Sequence, residues 1–250
     1  MSGHSKWASI KRKKGATDAK RGQLFSKLAR AIIVAAREGG PDPAANLALQ
    51  NAIENAREAS MPKDNIERAI ARGAGPAGDG ASYETITYEG YGPSGIAVYV
   101  EAVTDNRNRT AAEVRHIFTK SDGSLGESGS VAWLFERRAV VLVDGSADED
   151  ELILAAAEGG ADDVEREGDS WRVVAAPEAR TSVREAIEAA GMTVESADLT
   201  MVPKTTVEVD DESAVKKVVR LMEALEDNDD VQDVYANFDI PERMLEAVAT

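Results

Sequence analysis

The chain has 250 residues, 43% of them apolar and 30% charged, and no cysteine. That composition supports one to three compact units with buried cores and excludes disulfide frameworks and thiolate metal sites. The formal net charge of −16 hides an asymmetry: residues 1–75 carry 14 Lys/Arg against 7 Asp/Glu, a net of +7, and the remainder carries −23.

A basic segment on an acidic body attracts a polyanion at one end and repels it elsewhere, which orients binding. The longest aliphatic run of the first third, Ala31–Ala36, is far short of the roughly 18 residues that suggest a membrane span. No secretory pattern follows the basic start, and the lack of cysteine suits a reducing compartment. A cytoplasmic protein with no membrane partner is the expectation.

In chain order, residues 1–18 show no helical apolar period and carry Lys6, Lys11, Arg12, Lys13 and Lys14, which predicts an arm that orders on binding. From Ala19 to Glu38, Leu24, Phe25, Leu28, Ile32 and Ala35 recur at helical spacing, and Gly39-Gly40-Pro41 ends the element. Lys27, Arg30 and Arg37 fall on the opposite face. A second helix is predicted over Pro43–Ala59 and a third after Pro62, with Arg68 and Arg72 together on its outer side. Gly73–Ser82 reads as a linker. Its Gly73-x-Gly75-x-x-Gly78 run follows a helix and precedes a strand, the reverse of a dinucleotide site, and is rejected.

Strands are predicted over Tyr83–Glu89 and Ile96–Val103, followed by a helix from the capping box Thr110-x-x-Glu113 to about Lys120 and a strand over Val131–Glu136. Residues 139–199 then read as βαββαβ, the ferredoxin-like order. The last stretch gives a strand over Thr205–Val209, a helix over Ser213–Glu226, a strand over Val231–Tyr235 and a helix after Pro241. The fold class is therefore multidomain, α and α+β: an N-terminal three-helix domain, then two α+β domains, one ferredoxin-like and inserted in the other. The boundaries are 1–79 for arm, helices and linker, 80–136 with 203–250 for the discontinuous domain, and 137–202 for the insertion.

Two histidines, His4 and His116, stand apart from any second nitrogen ligand, so neither metal nor general-base chemistry is expected. No phosphate loop is present. The expectation is no enzyme, no catalytic residue, no metal, no cofactor and no small-molecule substrate. The arm cations, joined by Lys20, Arg21 and Lys27, have the pattern that pairs with phosphates, and Trp7 can stack on an exposed base. The competing reading is a solubilising tail with Trp7 packed on the helices. At Thr104-Asp-Asn-Arg-Asn-Arg-Thr110, Arg107 and Arg109 sit where a strand meets a helix N-terminus. That place suits either a phosphate grip or a turn whose Asn residues and Thr110 satisfy the local backbone.

Gly3-His-Ser-Lys-Trp7, Asp18-Ala-Lys-Arg-Gly22, Pro62-Lys-Asp-Asn-Ile66, Tyr88-Glu-Gly-Tyr-Gly-Pro93, Thr104–Thr110, Gly129-Ser-Val-Ala132, Pro203-Lys-Thr-Thr206 and Val234-Tyr-Ala-Asn-Phe238 together closely resemble the YebC/PmpR family over nearly the whole chain. The resemblance implies three domains, a helical one and two α+β, and a transcriptional regulator that binds DNA. It also implies an alternative, because a mitochondrial relative is a translational activator of a cytochrome oxidase subunit and bacterial relatives are linked to the ribosome. Two positions depart from the family pattern: Arg12 stands where a histidine is common, and Ala31 where the first helix often carries an acid. The expected function is therefore a DNA-binding transcriptional regulator, with a translation factor on ribosomal RNA as the alternative.

Overall fold

A computed structural model describes residues 18–75, 83–241 and 244, with side chains from residue 21 onward. The described residues divide into two compact units. One holds the helices and residues 83–131 with 212–234, and the other holds 132–211 with the residues after 234.

The first unit opens with three helices, α1 (Asp18–Gly39), α2 (Leu47–Glu58) and α3 (Lys63–Ala74). Their apolar faces meet through Ile32, Ala36, Leu49, Ile53, Ile66 and Ala69, all buried. The predicted second helix begins four residues late, because Asn46 is its N-cap. The Asn46 side chain accepts from Leu49 N at 3.1 Å and donates to Ala35 O at 2.7 Å and Gly40 O at 2.8 Å, tying the end of α1 to the start of α2. The predicted linker also begins too early, since α3 runs through Gly73. A Cβ there would stand 2.5 Å from Ile33 O and 2.7 Å from the Ala36 Cβ, so the glycine is where α3 crosses α1.

The rest of this unit is a four-stranded sheet in the order β3-β1-β2-β9, from β1 (Glu84–Tyr91), β2 (Ala97–Thr104), β3 (Ser124–Leu125) and β9 (Val231–Ala236). Strands β1 and β2 are antiparallel with Glu84 opposite Thr104. Helices α4 (Arg107–Lys120) and α7 (Glu212–Glu226) accompany the sheet, burying Val114, Phe118, Val218, Leu221 and Leu225. Thr110 does not cap α4 as the capping-box reading expects. Asn106 does, its side chain accepting from Arg109 N, and this frees the Thr110 hydroxyl for a distant partner.

The second unit contains β4 (Phe135–Asp144), α5 (Glu149–Gly159), β5 (Ala161–Glu167), β6 (Ser170–Ala175), α6 (Arg180–Ala189) and β7 (Val194–Pro203). Its sheet order is β5-β6-β4-β7 with every neighbouring pair antiparallel, the ferredoxin-like arrangement. Ala139, Val141 and Val143 point to one face, where Trp171, Val173, Leu152, Val183 and Ile187 complete the core. In chain order this sheet lies between the two segments of the other α+β domain.

Two predicted strands need correction. Residues 131–136 are not a strand of their own, because Ala132–Leu134 form a 3-10 turn and β4 starts at Phe135. Val131 is buried for another reason, its N–H donating to the Glu89 carboxylate at 2.7 Å. The strand predicted at Thr205–Val209 shortens to β8 (Val207–Glu208), which pairs in parallel with β10 (Phe238–Asp239) and so does not extend the sheet of β1 and β2. Apart from residue 244, the predicted helix after Pro241 falls outside the described residues.

Candidate nucleic-acid interface

Lys6, Trp7, Lys11, Arg12, Lys13 and Lys14 lie outside the described residues, as does the side chain of Lys20. The remaining expected contacts are on α1 and α4. Arg21 is exposed at the start of α1, its guanidinium 5.5 Å from the Phe25 ring centre.

Lys27 is engaged elsewhere. Gln23, Lys27 and Arg30 recur at spacings of four and three, so they share one face of α1. That face meets Glu226-Asp-Asn-Asp-Asp230 at the end of α7. Gln23 Nε2 donates to Asp227 O at 2.7 Å and to Asp229 Oδ1 at 3.2 Å. Lys27 Nζ donates to Glu226 O at 2.5 Å, and Arg30 donates to Asp229 O. The last carbonyls of a helix have no partner within it and carry partial negative charge, so a cation there satisfies both needs.

Arg30 also pairs with Asp230 Oδ1 at 3.2 Å. Asp230, only 4% exposed, is the hub. Its Oδ2 accepts from Arg109 at 2.6 Å, Thr110 Oγ1 at 2.7 Å and Thr104 Oγ1 at 3.1 Å. Burial pushes the Asp230 carboxyl upward, but the hydrogen bonds from Arg109, Thr110 and Thr104 outweigh it and hold the group below its ordinary value. The Thr104–Thr110 run therefore spends Arg109 on Asp230 and on Asp105, 3.0 Å away. The turn's own polar groups are satisfied as well, Asn106 Oδ1 accepting from Arg109 N at 3.1 Å and Thr110 Oγ1 donating to Asn106 O at 3.1 Å. Arg107 is exposed, and its carbonyl accepts from the Tyr88 hydroxyl at 3.4 Å.

Arg30 and Arg72 both lie over the Tyr83 ring, at 5.8 and 5.9 Å from its centre. Beside them a polar cleft of about 430 Å3 opens among Arg30, Tyr83, Arg109, Glu113 and Asp229. His116 is exposed on α4. Among the described residues no helix is long and apolar enough to cross a membrane. The sequence reading missed Asp230 and Gln23, although the acidic run at 226–230 and the Gln23/Lys27/Arg30 spacing were both visible.

The profile of the TACO1/YebC N-terminal domain matches residues 5–76, and that of the TACO1/YebC second and third domains matches residues 83–238. The chain belongs to the TACO1/YebC family. Similar relatives include one from Rubrobacter xylanophilus, 59% identical over 250 residues and all of both chains, and one from Halothermothrix orenii, 54% identical over 251 residues and 99% of each. Both are named "Probable transcriptional regulatory protein". A crystal structure of a conserved hypothetical protein from Aquifex aeolicus is similar with a TM-score of 0.79 and 50% identity, covering 90% of this chain and 92% of that one.

Several motifs that carry the TACO1/YebC resemblance bond to one another. The buried Glu89 of Tyr88–Pro93 accepts from Gly129 N at 2.6 Å and Val131 N at 2.7 Å, both in Gly129–Ala132. Asn237 of Val234–Phe238 donates to Thr205 O at 3.2 Å, in Pro203–Thr206. These family motifs hold loops together.

Proposed function

We propose that this TACO1/YebC protein is a cytoplasmic, non-enzymatic regulator of gene expression that grips nucleic acid through its basic N-terminal segment, with duplex DNA as the target. One observation carries the reading: a net +7 over residues 1–75 against −23 over the rest, which lets a polyanion approach at one end only. The relatives' name, probable transcriptional regulatory protein, supports the regulatory part. Lys6, Lys11, Arg12, Lys13, Lys14, Lys20 and Arg21 are the proposed phosphate contacts, with Trp7 against a base. Arg107 is an exposed auxiliary cation. Lys27 joins them only when it leaves Glu226.

A second reading places the protein on ribosomal RNA as a translation factor. The −23 body favours it, because basic ribosomal proteins complement such a surface and bare duplex does not.

The test replaces Lys11, Arg12, Lys13 and Lys14 by Ala and measures affinity against salt. Losing up to four phosphate contacts should flatten the log–log slope by up to roughly 3.6 on duplex DNA. An unchanged slope rejects the arm as the interface.

A further inference from the structure

We infer that Glu226–Asp230 is an internal competitor for nucleic acid, an acidic strip that holds the cations of α1 until phosphate charge displaces it. The inference rests on the reading of the N-terminal region as the polyanion contact.

Four of the five strip residues are acidic. The strip is fixed to the α+β body: Asn228 Nδ2 donates to Glu113 Oε2 at 2.9 Å, Asp230 N donates to Asn228 Oδ1 at 3.0 Å, and Asp230 is held by Arg109, Thr104 and Thr110. Gln23, Lys27 and Arg30 reach it from the helical side. Every one of these contacts is polar. The apolar cluster of the three helices takes in only Tyr83 from beyond residue 75, among the described residues.

The seam also borders the solvent-open cleft of about 430 Å3. The outer part of the junction, Gln23 on Asp227 and Asp229, is open to competition from water and ions, while Lys27 and Arg30 sit partly buried on the strip. A phosphate backbone laid along α1 offers Lys27 and Arg30 the same chemistry that the strip does, at higher charge density. Binding the polyanion therefore releases the three helices from the strip, and the strip in turn lowers affinity for weakly charged or short ligands. DNA and RNA share the phosphate chemistry that drives this exchange.

The test uses the full chain, a short DNA duplex and a ribosomal RNA hairpin as probes. Asp227→Asn with Asp229→Asn removes two exposed strip charges and leaves the backbone acceptors in place. Duplex affinity should rise about 3- to 10-fold, because two carboxylate charges beside Lys27 and Arg30 no longer repel the phosphates, and Asp229 loses only its bond from the Gln23 amide. The control Asp150→Asn with Glu151→Gln changes net charge equally and should leave affinity nearly unchanged. The natural lack of cysteine allows spin labels at Glu67→Cys on α3 and Lys120→Cys on α4, both exposed sites. The label separation should lengthen when either probe binds, and at lower probe concentration in the strip variant. Equal gains in strip variant and control, or no gain in either, overturn the competition. Binding with unmoved labels overturns the release while leaving the proposed function standing. No binding by any variant at low salt removes the proposed function and the competition with it.

Discussion

The Arg109 guanidinium donates to the buried Asp230 carboxylate at 2.6 Å across 121 positions of sequence. The bond joins the strand-to-helix run of one chain segment to the turn just before β9 in another, and Thr104 and Thr110 complete it. Asp230→Asn removes the charge that four donors address, and hydrogen bonds to charged groups contribute about 1.5–3 kcal/mol each to stability. We expect a loss of about 2–3 kcal/mol in urea unfolding. Arg109→Ala, at a side chain 44% exposed, should cost less, about 1 kcal/mol.

The same bond sets a pH dependence. The folded-state value of Asp230 is lowered, so its contribution is full above the ordinary aspartate value and is lost as pH falls through the lowered one. Between neutrality and the ordinary value the contribution should be flat. In strong acid the melting midpoint of the natural chain should fall more steeply than that of Asp230→Asn. Parallel curves would remove Asp230 as the group responsible.

Gly73 gives a prediction of opposite kind, a close approach with no room. Its missing Cβ would meet the Ile33 carbonyl oxygen, a backbone atom that cannot turn aside, at 2.5 Å. Gly73→Ala should force α3 away from α1 and cost about 1–3 kcal/mol, the range for overpacking. Gly75→Ala is the control, because its nearest neighbour would be 3.5 Å away. Equal melting midpoints for the two variants would refute the close-crossing account.

Glu89 pins the Gly129–Ala132 run with both carboxylate oxygens. Glutamine keeps the shape but has one acceptor oxygen, so Glu89→Gln leaves Gly129 N–H or Val131 N–H facing an amide NH2. An unsatisfied buried donor costs about 1–3 kcal/mol. Amide exchange at Gly129 and Val131 should quicken well beyond that at Val100, in the middle of β2. Uniform acceleration across the sheet would mean that the run is held by something else.

What the sequence made legible was local. Leu28, Ile32 and Ala35 at helical spacing mark α1, and the alternation of Val141 and Val143 marks the ferredoxin-like core. The errors came where a distant partner overrides local pattern. Val131 looks like a strand residue because it is apolar, yet it is buried as a peg for Glu89. Thr110 fits a capping box by spacing, yet its hydroxyl answers to Asp230, 120 positions away. Arg109 and Lys27, expected as phosphate contacts, meet a carboxylate and a carbonyl of the chain itself, partners that local spacing does not reveal. Strand pairing also runs past the expected edges of the insertion, since Phe135 and Pro203 pair just outside 137–202.

Transcription and translation make different demands on the charge of the basic arm. With −23 beyond residue 75, bare duplex meets a favourable field only at the basic end, and phosphate contacts carry no sequence information. A DNA regulator of this build needs base-reading side chains from the arm itself, and specific regulators exceed their non-specific affinity by about 10³ or more. A ribosome instead supplies phosphate for the arm and basic protein for the acidic domains, so that complex resists salt that dissolves a duplex complex. The deciding measurement compares a candidate promoter, a scrambled duplex and intact ribosomes at one physiological ionic strength. Under the DNA reading, the promoter should win over the scrambled duplex by about that factor, 10³. Equal, salt-labile binding to both duplexes with retention on ribosomes would replace transcription by translation as the site of action.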